Sequence, residues 1–416
     1  MRQEKKTILV VINTLGHAGA EVALLEMLRH ITPDRYRVDL YILMGQGEMV
    51  HLLPPHVRVL NKTYKDVSVL AKEGRGHLYR TVLSAAFRRG TIIRRIPYLL
   101  KNLIAMMKDK KIWGEKLLWR ILADGGMRLK EEYDLAVSYL EGGSAYYVTD
   151  YVKAKKKATW VHVDYGRAGY TRALDLDCYL SFDRIFPVSD EVKDSFLKVY
   201  PECADKTMVF RNFINQEAIR ERAKEKGGFS ELEPEGNHTI RLLTIGRLTY
   251  QKAFDISIEA MKLIKDAGFS ACWYVLGDGN QRQSLEKLIQ DLGLQEDFKL
   301  LGAVNNPYPY LAQTTIYVHA SRFEGKSIAI QEAQTLGCSI IASDCSGNRE
   351  QIVPGVDGLL CDLTPESIKE AVVRLIQNEE ERKRFGEAAK NKKIVHLEDL
   401  DMLLSLVEDE DEKNGN

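Results

Sequence analysis

Two carboxylates, Glu324 and Glu332, lie eight positions apart, and a glycine follows the first. Gly325 ends the preceding loop and Ser327 is a helix-capping residue type, so the pattern predicts a helix that begins near Ser327 and contains Glu332. A helix N-terminus attracts anions, and one carboxylate can accept hydrogen bonds from two adjacent hydroxyl groups. A nucleotide sugar would fit, with its diphosphate at the helix N-terminus and one carboxylate each for sugar and ribose. Glutamates at this spacing also occur on ordinary solvated helices.

Two cations reduce the weight of that alternative. Gly246 follows a predicted strand as a turn residue, and Arg247 and Lys252 follow it one and six positions later. Both side chains could reach a diphosphate and stabilise the negative charge that grows on it as it departs.

The elements that must position these residues alternate between strands and helices, which predicts mostly parallel sheets covered by helices. Ligands of such sheets bind at the carboxyl ends of the strands. We predict strands in the first half at 8–13, 37–43, 135–139, 158–162, 184–188 and 207–210. In the second half we predict them at 242–245, 272–276, 298–300, 316–318, 339–342 and 358–360.

A chain of 416 residues exceeds what one hydrophobic core usually serves. We predict an N-terminal domain over 1–213, a Gly-, Pro- and acid-rich linker over 214–238, a second domain over 239–390 and a C-terminal segment with an acidic tail over 391–416. The formal net charge of zero gives no reason to expect a nucleic-acid partner. Six cysteines without a CxxC pair indicate free thiols in a reducing cytosol.

The segment 88–130 differs from the rest, with twelve Lys/Arg against three Asp/Glu. From 92 to 122 its apolar residues keep helical spacing, so we predict a basic amphipathic helix or helix pair. These helices could simply cover the sheet. The charge excess favours contact with an anionic membrane surface, with Trp113 and Trp119 near the headgroups. No apolar run is long enough to cross a bilayer, so we expect a cytoplasmic protein, peripheral at the inner face of the cell membrane.

The stretch from Leu242 to Asp362 resembles the donor domain of the retaining glycosyltransferases of family 4, which have the GT-B fold. The resemblance is carried by GRLTYQKAFD, VLGDGNQRQSLE, LGAVNNPYPYL, SRFEGKSIAIQEAQTLG and SGNREQIVPGVDGLL. It implies two Rossmann-like domains with parallel sheets facing a central cleft.

The resemblance also implies residue roles. Glu324 would contact the donor sugar and Glu332 the ribose, while Arg247 and Lys252 would hold the diphosphate beside the turn at Gly246. The backbone around Gly325, Lys326 and Ser327 would contact sugar hydroxyls or phosphate.

The N-terminal half is similar to the same family at two places. Ala18-Gly19-Ala20-Glu21 is similar to the family's Gly-Gly-Ala-Glu loop, with Ala18 in place of the first glycine, which implies that Gly19 lies at the donor diphosphate. Trp160-Val-His162-Val-Asp164 resembles the family's histidine segment, which implies that His162 touches the transferred sugar. The alternative is that His162 is a structural histidine at a strand end, with its hydrogen bonds satisfied within the protein. His17 lies where inverting enzymes of the same fold place a base.

The function expected from these features is transfer of a sugar from a nucleotide diphosphate donor, UDP before GDP, to a saccharide or polyprenyl-linked saccharide in bacterial surface polysaccharide synthesis. Retention of configuration is implied by the resemblance, with Glu324, His162, Arg247 and Lys252 as catalytic residues. We expect no cofactor and no essential metal, because Asp175-Leu-Asp177 follows no donor-binding strand pattern. Alternatives are an inverting transferase with His17 as base, a phosphorylase, an epimerase and a non-catalytic sugar-binding or scaffold subunit.

Overall fold

The computed structural model describes residues 5–67, 72–108, 113–231, 240–394 and 397–413. The chain divides into two compact units, Met1–Phe213 with His396–Asn416 and Ile214–Val395. Of the linker predicted at 214–238, residues 216–222 form a helix inside the second unit, and 232–238 lie outside the described residues. Of the segment predicted at 391–416, residues 398–413 form a helix that belongs to the first unit, where Asp399 accepts the backbone N–H of Arg211 at 2.8 Å.

The first unit contains a six-stranded parallel sheet in the order β3-β2-β1-β4-β5-β6. Its strands are β1 (Lys6–Ile12), β2 (Tyr36–Ile42), β3 (Val57–Val59), β4 (Glu132–Ser138), β5 (Lys153–Val161) and β6 (Arg184–Pro187). Its helices are α1 (Gly19–Arg29), α2 (Lys72–Phe87), α3 (Thr91–Lys108), α4 (Gly114–Gly125), α5 (Gly143–Tyr151), α6 (Arg172–Asp175), α7 (Asp190–Leu197) and α16 (Glu398–Lys413). The run Ile8–Ile12 is fully buried, as a central parallel strand covered on both faces requires.

The second unit repeats this plan, with a six-stranded parallel sheet in the order β12-β11-β10-β7-β8-β9. Its strands are β7 (Ile240–Ile245), β8 (Ala271–Leu276), β9 (Phe298–Gly302), β10 (Ile316–His319), β11 (Ile340–Ser343) and β12 (Leu359–Cys361). Its helices are α8 (Gln216–Arg222), α9 (Phe254–Asp266), α10 (Arg282–Asp291), α11 (Tyr308–Ala312), α12 (Ile328–Thr335), α13 (Ser346–Arg349), α14 (Pro365–Gln377) and α15 (Glu379–Lys390). The prediction of two Rossmann-like domains with parallel sheets is confirmed.

One predicted strand is not formed. Residues 207–210 run beside β6, where the N–H groups of Met208 and Phe210 donate to Ile185 and Pro187 at 3.0 and 2.9 Å. Pro187 has no N–H to complete the ladder, and only one isolated bridge, Ile185 to Thr207, is present. The three-residue strand β3 was missed.

The predicted basic amphipathic pair is present as α3 and α4, with 109–112 outside the described residues. The expectation for its tryptophans is wrong. Trp113 packs beside Tyr98, Met106 and Leu174, and Trp119 packs against the main core of the first unit, so both side chains pack into the protein. No helix among the described residues has both the length and the hydropathy to cross a membrane.

Candidate active site

In each unit the sheet order reverses beside the first strand, and open α/β sheets bind ligands at the carboxyl ends of strands at such a point. In the second unit this point lies between β7 and β10. Gly246 and Arg247 follow β7, and the segment that leads to Glu324 follows β10. The structure therefore brings residues of two separate sequence motifs together at one end of the sheet.

Lys252 and Glu324 form a close ion pair there. Lys252 Nζ lies 2.5 Å from Glu324 Oε1, and the two side chains are 14% and 8% exposed. Ser321 Oγ donates to the same oxygen at 2.7 Å, and Gln251 Nε2 donates to Oε2 at 3.4 Å. Burial alone would raise the pKa of Glu324, but the charge and hydrogen bond of Lys252 hold that pKa well below its ordinary value. Glu324 is thus an oriented, ionised carboxylate at neutral pH.

His319, the last residue of β10, is a member of this site that the sequence analysis missed. Its Nε2 lies 3.3 Å from both Lys252 Nζ and Glu324 Oε1, and its Nδ1 lies 3.2 Å from Tyr317 Oη. Burial and the neighbouring Lys252 charge lower the pKa of His319, so the imidazole is neutral at pH 7. The signal that could have identified it is its place at the end of a predicted strand, just before the recognised motif that contains Glu324.

Glycines let the loops at this edge approach one another closely. A Cβ on Gly277 would lie 2.0 Å from the carbonyl oxygen of Gly246, and one on Gly347 would lie 1.8 Å from that of Gly325. Gly277 also has a φ of +147°, a conformation that residues other than glycine rarely adopt. The loops after β7, β8, β10 and β11 therefore form a tight backbone cradle.

Glu332 lies inside α12, as predicted, and is buried. Tyr308 Oη donates to its Oε1 at 2.9 Å, and the guanidinium of Arg222 lies 4.8 Å from the Tyr308 ring centre. Burial raises the pKa of Glu332 to about 7, although the Tyr308 hydrogen bond and the Arg222 charge act in the opposite direction. Its charge therefore changes near neutral pH.

The remaining predicted residues of this unit surround the same edge. Arg247 is exposed, and Gly325 and Ser327 are buried. Ser327 is the buried N-cap residue of α12, but its hydroxyl makes no capping hydrogen bond. Capping by the Ser327 side chain is a wrong prediction, whereas the helix itself is present. Lys326 is half-buried.

The first unit has a corresponding polar cluster at its own reversal point, between β1 and β4. Asn13 Nδ2 donates to the carbonyl oxygen of Glu141 at 3.3 Å, and Asn13 Oδ1 accepts the N–H of Ser144 at 2.8 Å. The Glu141 carboxylate accepts the N–H of His162 at 3.0 Å. This arrangement gives Glu141 a definite part in holding the end of β5.

His162 lies directly after β5, with its ring centre 5.2 Å from that of Tyr139. Burial lowers its pKa to about 4, so the imidazole is neutral at pH 7. Its Nε2 and the Tyr139 hydroxyl are buried and have no hydrogen-bond partner among the described residues, so both can still bond a ligand. Gly19 is the first residue of α1, and His17 is exposed in the loop before it.

Asp175 and Asp177 do not face a common point. Asp175 is buried and accepts the hydroxyls of Tyr146, Tyr165 and Tyr200 at 2.7, 2.5 and 3.1 Å. Asp177 is exposed and pairs with Arg172. Within the described residues no three His, Cys, Asp or Glu side chains are placed to hold a metal ion, and the expectation of metal independence stays a prediction. All six cysteines are buried free thiols.

Residues 230–392 match the family model described as glycosyl transferases group 1. The matched residues cover most of the second unit. The matched range contains Gly246, Lys252, Glu324 and Glu332, so the site lies within the part that the family shares.

Curated relatives are named as glycosyltransferases. An uncharacterized glycosyltransferase of Methanocaldococcus jannaschii is 27% identical over 57% of this chain and 64% of its own length. An enzyme of Campylobacter jejuni, N-acetylgalactosamine-N,N'-diacetylbacillosaminyl-diphospho-undecaprenol 4-alpha-N-acetylgalactosaminyltransferase, is 28% identical over 51% of this chain and 56% of its own. The chain thus spans less than two thirds of the length of these relatives.

The fold is shared with solved glycosyltransferases over nearly the whole chain. Anabaena HepE, crystallised with UDP and glucose, aligns with a TM-score of 0.69 at 15% identity, covering 97% of this chain and all of HepE. The apo outer-core galactosyltransferase WaaB of lipopolysaccharide synthesis aligns with a TM-score of 0.60 at 14% identity, covering 97% of this chain and 99% of WaaB. These likenesses support the GT-B fold.

Proposed function

We propose that the protein is a retaining glycosyltransferase that moves a sugar from a UDP-sugar to a saccharide or polyprenyl-linked saccharide during bacterial surface polysaccharide synthesis. The observation that carries the proposal is the buried Lys252–Glu324 pair, which stands at the sheet reversal of a unit matched by the group 1 glycosyl transferase model. A buried ion pair is weak evidence for stability, so its presence at a ligand-binding edge favours a role in binding.

In this proposal the second unit binds the donor. The cations Arg247 and Lys252 hold the diphosphate beside the turn at Gly246, with backbone of 325–327 at the N-terminal end of α12. Glu324 accepts hydroxyls of the sugar, and Glu332 those of the ribose. Without a ligand, the ion pair keeps both side chains oriented. When the donor binds, part of the Lys252–Glu324 contact is replaced by bonds to the donor.

The reaction separates charge, because the departing diphosphate becomes more negative while the sugar ring becomes positive. Lys252, Arg247 and the helix N-terminus stabilise the first, and neighbouring oxygen atoms stabilise the second. A phosphate oxygen of the donor takes the acceptor's proton on the face from which the leaving group departs, which retains configuration. Because its imidazole is neutral, His162 can contact the sugar without adding positive charge beside a cationic ring.

The acceptor is proposed from the names of two relatives. The Campylobacter relative is named for a diphospho-undecaprenol-linked acceptor, and an Erwinia amylovora relative, 29% identical over 36% of this chain, is named for amylovoran biosynthesis. A lipid-linked acceptor would place the enzyme at the inner face of the cell membrane, as a peripheral protein.

Transfer and stereochemistry can be tested together. The wild type, Lys252→Met and the matched surface variant Lys262→Met are incubated with α-linked UDP-sugars and polyprenyl-diphosphate-linked saccharides, with magnesium or with chelator. We expect an α-linked product by NMR from the wild type and Lys262→Met, and about a thousand-fold slower transfer by Lys252→Met. A β-linked product would support inversion with His17 as base. Donor epimerisation without acceptor, or no nucleotide binding at all, would overturn transfer.

A further inference from the structure

Helix α3 is packed with its more polar side inward. The side chains that it buries are Thr91, Tyr98, Asn102 and Met106. The half-buried Arg95 forms a two-bond ion pair with Asp124 at 2.8 Å on that same side. A helix that covers a sheet normally shows the opposite arrangement.

The apolar stripe of α3 faces away from the protein. Ile93, Ile96, Leu100, Ile104 and Met107 recur at helical spacing and are between 46% and 71% exposed. Over its eighteen residues the helix extends about 27 Å at 1.5 Å per residue. An exposed apolar row that runs along most of such a helix indicates contact with another molecule or a membrane.

The neighbouring helix α2 continues this pattern. Tyr79, Leu83 and Phe87 are four positions apart, which places them on one face, and they are 70%, 57% and 73% exposed. Both helices pack against α4 by their other sides. We call these three residues and the five of the α3 stripe the outer apolar face.

A row of cations runs beside the stripe. Arg94, Lys101 and Lys108 are seven residues apart, so they lie on one line along α3, about 100° around the helix from the centre of the apolar stripe. All three are exposed. From Gly74 through Lys108 the sequence contains eight Lys/Arg and no Asp/Glu.

We propose that the outer apolar face docks onto an anionic lipid bilayer, with α3 lying in the interface plane. An apolar stripe bordered by a cationic row is the arrangement of interfacial helices, in which the stripe enters the acyl boundary and the cations meet lipid phosphates. A second copy of this chain is a poor occupant, because a two-fold contact would bring two strongly positive segments together. The inference rests on the proposed lipid-linked acceptor for its purpose, and it names the surface by which the enzyme reaches it.

Vesicle flotation of the full chain tests this without donor or acceptor. Vesicles contain phosphatidylcholine alone or with two fifths phosphatidylglycerol. The charge variant is Arg94→Gln/Lys101→Gln/Lys108→Gln, and the apolar variant is Leu100→Gln/Ile104→Gln. The charge-matched control is Lys198→Gln/Lys226→Gln/Lys287→Gln, three exposed lysines elsewhere. Thermal melting verifies that each variant folds, which exposed positions should allow.

We expect the wild type and the control to bind anionic vesicles and to lose binding in 0.5 M salt. At about a fivefold loss for each cation, the charge variant should partition about a hundred-fold more weakly. At about a tenfold loss for each apolar side chain, the apolar variant should also partition about a hundred-fold more weakly. Equal binding to neutral and anionic vesicles, or wild-type binding by folded variants, would overturn the proposal. So would a stable dimer that the apolar variant abolishes. Nucleotide binding, a property of the second unit, separates this failure from that of the donor site.

Discussion

Replacing Lys252 by methionine should destabilise the second unit and should do so in a pH-dependent manner. The substitution keeps the length of the side chain but leaves Glu324, 8% exposed, without its cation. Breaking a buried pair by removing one partner costs about 3–5 kcal/mol. Glu324 keeps hydrogen bonds from Ser321 and Gln251, so we expect the lower end, about 3 kcal/mol.

This loss corresponds to a fall in Tm of about 6–12 °C for a domain of 150–250 residues. The assay is differential scanning calorimetry, following the transition that contains the second unit, at pH 7.5 and pH 5. Lys262→Met is the control, because Lys262 pairs with Asp266 on an exposed helix surface and such pairs contribute about 0–1 kcal/mol.

The sign of the pH effect follows from the pKa of Glu324 in the wild type and its pKa in Lys252→Met. In the wild type the pKa is depressed, so the contribution of Glu324 is fully present above the ordinary value of about 4.3 and is lost only as pH falls through the lower folded-state pKa. In Lys252→Met burial dominates and raises the pKa, so protonation at pH 5 relieves the unpaired charge. The difference in Tm should therefore shrink from pH 7.5 to pH 5. A loss no greater than that of Lys262→Met, or one independent of pH, would refute this reasoning.

Further predictions concern the donor site. The affinity for UDP should fall as pH drops below about 7, because Glu332, whose pKa is raised to about 7, then loses the charge that attracts ribose hydroxyls. Tyr308→Phe removes a hydrogen bond that lowers this pKa, so the midpoint of the pH dependence should move to higher pH in calorimetric titrations. Gly277→Ala should weaken UDP binding about a hundred-fold by displacing the Gly246 loop, whereas Gly293→Ala, left-handed but surrounded by open space, should leave affinity unchanged. His319→Ala should cost about 1–3 kcal/mol of stability by removing a buried polar partner, measured by denaturant unfolding, and a cost near zero would contradict its place in the cluster.

The sequence predicted the two parallel sheets because the central strands are short, continuous apolar runs such as Ile8–Ile12. It failed where tertiary context decided the outcome. Residues 207–210 have strand composition, but their neighbour Pro187 cannot complete a ladder. For α3 the sequence left two alternatives open, a sheet-covering helix and a membrane-facing one, because helical spacing alone does not tell which side of a helix is buried.

The candidate site was predictable where a motif is local and unpredictable where a contact joins distant segments. Glu324 and Glu332 share one stretch of sequence, and Lys252 follows a recognisable glycine turn. The Tyr308 contact to Glu332 spans 24 positions, and the place of His319 depends on β10 ending beside β7. Neither contact can be predicted from the local sequence, although the place of His319 at the end of a strand, just before the recognised motif, marks it as a candidate.

The central claim is that the second unit binds a nucleotide diphosphate sugar through Lys252 and Glu332. It is tested most directly by thermal shift with UDP, GDP, ADP and their common sugars, with magnesium or with chelator, on the wild type, Lys252→Met, Glu332→Ala and Lys262→Met. At a hundred times its Kd, a ligand should stabilise the protein by about 2.7 kcal/mol. The account predicts a shift with uridine nucleotides in chelator, unchanged in Lys262→Met and reduced in the other two variants. No shift with any nucleotide, or equal shifts in all four proteins, would contradict it.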